Sequence, residues 1–339
     1  MYINYLGQVL QKAKQRDKYN CLTVPTHERY ETSLSKTGHN FYALRNPQVK
    51  DWKTCYAPVP PNYTVFNIKK QENQIPHHLS FDMVLSQNKF GQYQILAPIA
   101  KEMDIPLITV EHTAKMPWWN KQQMAQLQEM RGQLNVFITD WSLKSWEWEN
   151  RGDTYIIEHC VDTDLFKPDE NIEPKNHILT VGNDYIGRDS VLNFSQYKRV
   201  CLDKGLPTRA VGDTPGLSKA AATTEELVSE YQNSRIFLNT HHISPMPTSL
   251  LEAMACGCAI VTCATAAIPT YINHGDNGFL YNTDEECLEY LLALLNDEDL
   301  AIHIGIQARK TIMERCTLER FVNEWQMIFN HAYKLKGML

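Results

Sequence analysis

The sequence lacks any apolar run long enough to cross a membrane. A spanning helix needs about 20 consecutive, mostly apolar residues, and no stretch of the 339 residues provides them. The N-terminus also lacks the apolar core of a secretory signal peptide. We therefore expect a cytoplasmic protein without a transmembrane segment, with peripheral contact at the inner membrane face as the alternative.

Metal-binding patterns are missing as well. The nine cysteines are scattered without a CxxC pair, and Cys256-Gly-Cys258 has the wrong spacing for a zinc knuckle. No cluster of Asp or Glu stands at metal-ligand spacing. These absences predict no metal site and favour reduced, mostly buried thiols, with a structural disulfide as the alternative.

Basic charge is scarce over the whole chain. The formal net charge is −6, which gives no global case for nucleic-acid binding, yet residues 1–60 hold nine basic and four acidic side chains. Residues 2–18 show the spacing of an amphipathic helix whose Lys and Arg side chains lie opposite the apolar face. We interpret the basic residues of this N-terminal region as a solvated surface. Contact with an anionic acceptor or a membrane surface is the alternative.

The chain does contain enough apolar sequence for two hydrophobic cores. Its hydrophobic content is 43% and its charged content 21%, as in ordinary globular proteins. Strand and helix patterns alternate in two series separated by a polar, Pro-containing stretch between Phe166 and Lys175, which predicts an α/β protein of two doubly wound sheets facing a cleft. Thr26–Ser33 is interpreted as a polar loop. The main predicted segments are strands at 19–25, 106–110, 177–182 and 259–262 and helices at 92–103, 284–296, 300–316 and 318–336.

The segment Ser244–Gly257, SPMPTSLLEAMACG, predicts the start of a buried helix. Polar residues precede a run of good helix formers, and Gly257 ends it. The first turn of a helix leaves backbone N–H groups free at the positive end of the helix dipole, where a phosphate or a sugar oxygen can bind. Glu252 is the one charged residue of the helix, and a buried carboxylate needs hydrogen-bond donors such as two ribose hydroxyls. A simple favourable interaction with the helix dipole is the alternative.

Several motifs together resemble glycosyltransferase family four, the retaining enzymes with the GT-B fold. They are Leu250–Gly257, Ile268-Pro269, Asn277–Leu280, Thr154–Asp162 and Phe166-Lys-Pro168. The resemblance implies two Rossmann-like domains: an acceptor-side domain at 1–168, with the C-terminal helix 318–339 packed back on it, and a nucleotide-sugar-binding domain at 169–317.

The resemblance also implies how the donor is bound. Arg188 lies where the family has a lysine that holds the donor diphosphate, and Asn183 replaces a family arginine. Ser244 stands where the family has a second glutamate, which predicts a different sugar preference or a lower donor affinity. The expected donor-binding residues are Gly182, Asn183, Arg188, Ser244, Met246, Pro247, Thr248, Ser249, Leu250 and Glu252.

Three residues are expected to act in catalysis: His112, Arg188 and Glu252. His112 follows the strand at 106–110 and resembles the family histidine that faces the transferred sugar. Residues that follow strand ends or could stack on a ligand are the acceptor-side candidates, although structural packing is an alternative for each. They are His27, Glu28, Arg29, Trp118 and Trp119.

The predicted activity is retaining transfer of a sugar from a nucleotide diphosphate sugar, UDP- or GDP-linked, to an acceptor hydroxyl on a glycan, a lipid or another molecule. No cofactor or metal is expected beyond the donor substrate. One alternative is a phage-type glycosyltransferase that modifies hydroxylated DNA bases, with nucleic acid as the acceptor. Others are a non-catalytic nucleotide-sugar binding protein, since Ser244 and Asn183 replace family residues, and a sugar epimerase of the same fold.

Overall fold

The computed structural model describes residues 18–45, 51–66, 79–87, 90–148 and 153–336. The predicted amphipathic helix at 2–18 lies outside these residues except for Lys18. None of the described helices combines the length and the apolar character that crossing a membrane requires.

The first part of the chain forms a seven-stranded parallel sheet in the order β3-β2-β1-β4-β5-β6-β7. Together with its helices and the C-terminal helix α11 it is called the N-terminal lobe. The strands are β1 (Asn20–Thr23), β2 (Asn40–Leu44), β3 (Tyr63–Phe66), β4 (Met83–Ser86), β5 (Leu107–Glu111), β6 (Leu134–Phe137) and β7 (Asp153–Ile156). The helices are α1 (Glu28–Ser35), α2 (Gln92–Glu102), α3 (Lys121–Glu129), α4 (Asp140–Ser145) and α11 (Leu318–Lys336).

The second part, called the C-terminal lobe, forms a five-stranded parallel sheet in the order β12-β11-β10-β8-β9. Its strands are β8 (Lys175–Val181), β9 (Thr208–Val211), β10 (Ser234–Asn239), β11 (Ala259–Cys263) and β12 (Phe279–Tyr281). Its α-helices are α5 (Asp189–Leu192), α6 (Phe194–Tyr197), α7 (Thr224–Gln232), α8 (Thr248–Ala255), α9 (Asp284–Asn296) and α10 (Glu298–Arg315). A π-helix at Lys198–Leu202 and a 3-10 turn at Ile268–Thr270 complete it.

The strands of both sheets are parallel, and the crossovers that connect parallel strands place helices over the sheet faces. Every residue of β5 and of β11 is buried, as expected for strands that read as continuous apolar runs. In both sheets the strand order reverses at the first strand: β1 lies between β2 and β4, and β8 lies between β10 and β9. Ligands of doubly wound sheets bind outside the carboxyl ends of the strands at such a reversal.

Helix α11 belongs to the N-terminal lobe although it is last in the chain. Its apolar side packs in one buried cluster with Tyr30 and Phe41. Trp325 Nε1 donates a hydrogen bond to the Tyr30 hydroxyl at 3.1 Å, and Tyr19 donates to Asn330 at 2.7 Å. The chain therefore crosses between the lobes twice, and this return crossing ties the end of the chain to α1 beside the cleft.

The prediction of a polar loop at Thr26–Ser33 is wrong. Helix α1 begins at Glu28, and its N-cap His27 accepts a hydrogen bond from the Tyr30 backbone N–H at 3.4 Å. The segment resembles a loop in its polar composition, since it contains one His, one Arg and two Glu side chains. One of these, Glu31, is nevertheless fully buried. Its carboxylate accepts from Thr26 N at 2.6 Å and from the Gln87 amide at 2.9 Å. Tertiary partners thus stabilise a helix that local sequence does not reveal.

Candidate active site

The strands of both sheets end at a hollow between the two lobes. We call it the cleft hollow, and it encloses about 1270 Å³ including its open mouth. A volume of this size accommodates a ligand larger than a single sugar. The predicted site residues that line it are His27, Arg29, His112, Gly182, Asn183, Arg188, Ser244, Met246, Pro247, Thr248 and Ser249.

Helix α8 presents its N-terminus to the cleft hollow. Its N-cap is Pro247, which provides no side-chain cap, and Thr248 and Ser249 line the hollow. The first amides of a helix have no acceptor within the helix, so this end offers N–H donors and the positive end of the dipole to an anion. All seven residues from Ser249 to Ala255 are buried, so the helix is fixed by the lobe's core. Leu250 is fully buried and packs in that core rather than lining the hollow.

The loop after β8 forms the opposite wall of the hollow. Gly212 has a φ of +136°, and a Cβ there would lie 2.1 Å from the Gly182 carbonyl oxygen, so the loops after β8 and β9 meet at van der Waals distance. Asn183 uses its side-chain oxygen to accept from the Asp213 amide at 2.8 Å. Its role in the structure is thus to hold the two loops together, although it lines the hollow.

Arg188 is the cation that this loop brings to the cleft hollow. The Arg188 amide donates to the Asp184 carbonyl at 2.8 Å, which fixes the backbone at the start of α5. The side chain is exposed and forms no ion pair with any residue that the structure describes. Its guanidinium, with five N–H donors in a planar fork, is therefore available to an anionic ligand.

His112 faces the same hollow from the end of β5. Both of its ring nitrogens are buried and have no hydrogen-bond partner among the described residues. Tyr30 packs edge-on at 4.6 Å between ring centroids, and His159 lies parallel to the ring at 6.0 Å. Burial, reinforced by the nearby His159, lowers the pKa of His112 to about 3. The imidazole is therefore neutral at pH 7, with one donor and one acceptor left for a ligand.

Glu252 is buried as predicted, but protein groups already hold its carboxylate. Arg29 Nε lies 2.6 Å from Glu252 Oε1, and the Tyr231 hydroxyl donates to Oε2 at 3.0 Å. The Nε–H of Arg29 lacks hydrogen-bond alignment, so the Arg29 contact is an ion pair. Burial raises the pKa of Glu252, and the Arg29 charge opposes that rise. Protein groups thus supply donors to Glu252 within the fold, and the predicted contact with ribose hydroxyls stays a prediction.

Glu252 lines a second hollow next to the first. This hinge hollow also contains Tyr30, Phe166 and Leu318 and has a mostly apolar lining. It shares Arg29, His159 and Thr248 with the cleft hollow. The two spaces are therefore neighbours, and Arg29 lies in the wall that they share.

Three of the acceptor-side candidates lie away from both hollows. Glu28 is buried and accepts a hydrogen bond from the Lys53 amide at 2.9 Å. Trp119 packs against Trp146, with ring centroids 5.3 Å apart. Trp118 is 57% exposed and lines neither space. Trp119 thus packs within the lobe and Trp118 lies on its surface, whereas His27 and Arg29 line the cleft hollow.

Two histidines that the sequence interpretation did not select also line the cleft hollow. His159 lies in the crossing segment between the lobes, and burial lowers its pKa to about 4. His241 follows β10, and burial together with the nearby Arg188 lowers its pKa to about 4. The position of His159 within the motif Thr154–Asp162 was a usable signal for the first, whereas His241 carries none. Among the described residues, no group of three or more His, Cys, Asp or Glu could hold a metal ion.

Comparison with known proteins identifies part of the C-terminal lobe. Residues 220–311 match the family model of glycosyl transferases group 1. Two curated relatives are an N-acetyl-alpha-D-glucosaminyl L-malate synthase of Bacillus anthracis, 34% identical over 24% of this chain, and a probable sucrose-phosphate synthase of Thermosipho melanesiensis, 23% identical over 50% of it. The alignments span 22% and 46% of these relatives' own lengths.

Solved structures resemble nearly the whole chain. A sucrose-phosphate synthase from Thermosynechococcus elongatus has a TM-score of 0.73 at 10% identity, covering 94% of this chain and 100% of that one. Anabaena HepE in complex with UDP and glucose has a TM-score of 0.74 at 12% identity, covering 92% and 99%. At such identities the likeness establishes the fold, which is the predicted GT-B arrangement of two doubly wound lobes. The chain therefore has the GT-B fold, and its residues 220–311 are similar to the glycosyl transferases group 1.

Proposed function

We propose that the protein is a retaining glycosyltransferase that moves a sugar from a nucleotide diphosphate sugar to an acceptor hydroxyl. One observation carries the proposal: the open N-terminus of α8, the unpaired Arg188 and the unpartnered imidazole of His112 all face the cleft hollow. The first two suit an anion and the third suits a neutral polar group. An activated sugar contains both.

The diphosphate of the donor is assigned to the N-terminus of α8 and Arg188. Charge develops on this group as the sugar leaves, so donors held rigidly around it stabilise the transition state more than the ground state. The two hollows together provide space for a nucleotide sugar, with the nucleoside toward Glu252. That carboxylate has about four acceptor positions, of which Tyr231 and Arg29 use two, so ribose hydroxyls can still donate to it.

The sugar is assigned to the side of the hollow lined by His112 and Ser244. A neutral imidazole and a hydroxyl both donate and accept hydrogen bonds, which suits sugar hydroxyls. The HepE structures contain UDP, UDP with glucose, and UDP-glucose, so a UDP-sugar is the first donor to test, with GDP-sugars next.

The residues around the cleft hollow support the proposal of retention. No Asp or Glu is among the described residues that line the cleft hollow. Burial lowers the pKa of His112 to about 3 and of His159 and His241 to about 4, far below the value that suits a general base at neutral pH. We therefore assign proton acceptance to the departing phosphate: it takes the acceptor's proton as the acceptor oxygen bonds to the anomeric carbon on the face that the phosphate leaves.

The test is a donor panel of UDP- and GDP-sugars incubated with pooled hydroxyl acceptors. We expect release of the nucleotide with one donor class and, by NMR, the donor's anomeric configuration in the product. Inverted product would contradict retention. No release above that of an Arg188→Met variant, across all donors, would contradict a glycosyltransferase.

A non-catalytic nucleotide-sugar binding protein is a second candidate, favoured by the internal partners of Glu252 and by Ser244 at the sugar side. Such a protein would bind a donor with a measurable dissociation constant and release no nucleotide. Turnover that Arg188→Met abolishes would exclude it.

A further inference from the structure

Two arginines face the cleft hollow, one from each lobe. Arg188 follows β8 in the C-terminal lobe, and Arg29 is the second residue of α1, directly after β1. Each therefore lies at the strand-order reversal of its own sheet, the position where ligands of doubly wound sheets bind. No lysine, aspartate or glutamate is among the described residues that line this hollow, so its charged side chains are these two arginines, of which Arg29 is paired with Glu252 and Arg188 has no ion pair among the described residues.

Arg29 differs from the other partly buried arginines near the lobe boundary in the hydrogen bonding of its terminal nitrogens, Nη1 and Nη2. Arg315 uses Nη1 to bind the Thr270 carbonyl at 2.5 Å and Nη2 to bind Glu158 at 2.5 Å. Arg320 uses Nη1 to bind Glu324 at 2.6 Å and Nη2 to bind two backbone carbonyls. Arg29 instead makes its closest approach to Glu252 through Nε, and no hydrogen bond joins its terminal nitrogens to any described residue.

The terminal nitrogens of Arg29 consequently make no hydrogen bond to any residue that the structure describes. The side chain is 23% exposed, and it lies in the wall shared by the cleft hollow and the hinge hollow. A guanidinium held at Nε presents its two terminal nitrogens as a planar fork, the geometry that matches two oxygens of a phosphate.

We propose that Arg29 is a second diphosphate-binding residue, contributed by the N-terminal lobe, and that Glu252 is the positioning residue that holds its guanidinium toward the cleft. The proposal rests on the proposed function, because it requires a nucleoside diphosphate in the cleft hollow. The diphosphate then lies between Arg188 of one lobe and Arg29 of the other, with the N-terminus of α8 beside both. Binding of the donor thereby draws the two lobes together.

The same arrangement gives Glu252 two separable roles. As an acceptor for ribose hydroxyls it contributes to binding of any nucleoside, with or without phosphate. As the holder of Arg29 it contributes only when a diphosphate is present. Uridine and UDP therefore distinguish the two roles.

The experiment measures dissociation constants of UDP, GDP and their nucleosides for the wild type, Arg29→Met, Arg29→Lys and Arg188→Met, by calorimetry or, for weak binding, by NMR titration. A hydrogen-bonded charge contributes about 10- to 100-fold in affinity. We expect Arg29→Met to weaken binding of the diphosphate by that factor and of its nucleoside by less than about 2-fold. Arg29→Lys keeps a point charge without the planar fork, so its affinity for the diphosphate should lie between those of the wild type and Arg29→Met. The matched control is Arg131→Met, since Arg131 also pairs with a carboxylate, Glu129 at 3.6 Å, but precedes β6 at the other end of the sheet.

The coupling to Glu252 is tested by Glu252→Gln alone and combined with Arg29→Met. Relative to Arg29→Met, we expect the double variant to lose only the factor by which Glu252→Gln weakens binding of the nucleoside, because the support for Arg29 no longer has a function. The inference is overturned if Arg29→Met binds UDP and GDP as the wild type does, or if it weakens diphosphate and nucleoside equally, which indicates a purely structural link between lobes. If Arg29→Met does not fold, Arg29→Lys is used instead, and its loss of affinity for the diphosphate is compared with its loss of affinity for the nucleoside. A wild type that binds no nucleoside diphosphate contradicts the proposed function itself.

Discussion

The C-terminal lobe brings mainly backbone groups to the cleft hollow, whereas the N-terminal lobe brings side chains. On the C-terminal side are the amides at the start of α8 and the close-packed glycine loops after β8 and β9, with Arg188 as the added charge. On the N-terminal side are the imidazoles of His27 and His112 and the guanidinium of Arg29. Backbone amides recognise phosphate whatever is attached to it. Side chains from separate strand ends can vary one by one, so we expect acceptor preference to depend on the N-terminal lobe, whereas the sugar is assigned between His112 of that lobe and Ser244 of the other.

The largest effect is expected from Arg188→Met in the C-terminal lobe. Removing a preorganised donor from a developing negative charge costs about 3–4 kcal/mol, so kcat for nucleotide release should fall about 100- to 1000-fold. The control is Arg199→Met, a surface arginine paired with Asp284 at 2.7 Å and absent from both hollows. Equal losses in the two variants would mean that Arg188 has no special relation to the donor.

The sequence predicted the C-terminal side of this comparison better than the N-terminal side, for a physical reason. Helix α9 of the C-terminal lobe has the predicted bounds, since its sequence carries a strong N-terminal cap, the Thr283–Glu286 capping box. The helix start at Thr248 was recognisable because its signals are neighbours in the chain. In contrast, the Arg29–Glu252 ion pair joins residues from different lobes. No local pattern encodes such a contact, and α1 was missed for the same reason.

His112→Ala tests the N-terminal side of the cleft. The change should lower kcat/KM for the sugar donor about 10- to 100-fold, because sugar hydroxyls lose a buried hydrogen-bond partner. Affinity for UDP alone should stay within about 2-fold, since UDP lacks the sugar. His303→Ala, an exposed histidine of α10, is the control. If UDP affinity fell together with kcat/KM, the N-terminal lobe would be binding nucleotide at this residue and the division between lobes would be wrong there.

The buried imidazoles predict a loss of stability in mild acid. Burial lowers the pKa of His159 from 6.5 to about 4. Between these values the unfolded chain binds a proton that the folded chain does not. The free energy of unfolding is therefore unaffected by His159 above pH 6.5 and decreases as the pH falls below that value. The loss approaches about 1.4 kcal/mol per pH unit for each such histidine. Urea unfolding of the wild type and His159→Asn, from pH 7 to pH 5, should show a shallower decline in the variant. Parallel curves would mean that His159 does not stay neutral in the folded state.

The smallest effect is expected from Trp118→Ala. Trp118 is 57% exposed, so its removal should change the free energy of unfolding by no more than about 0.5 kcal/mol, whereas Trp119→Ala, which opens a gap against Trp146, should cost more. Nucleotide release to water should not change in Trp118→Ala because the residue lies outside both hollows. Transfer to an added acceptor is the sensitive readout. A selective fall in transfer would extend the acceptor path beyond the cleft to the loop after β5, and preference would then depend on the outer surface of the N-terminal lobe as well as on its cleft.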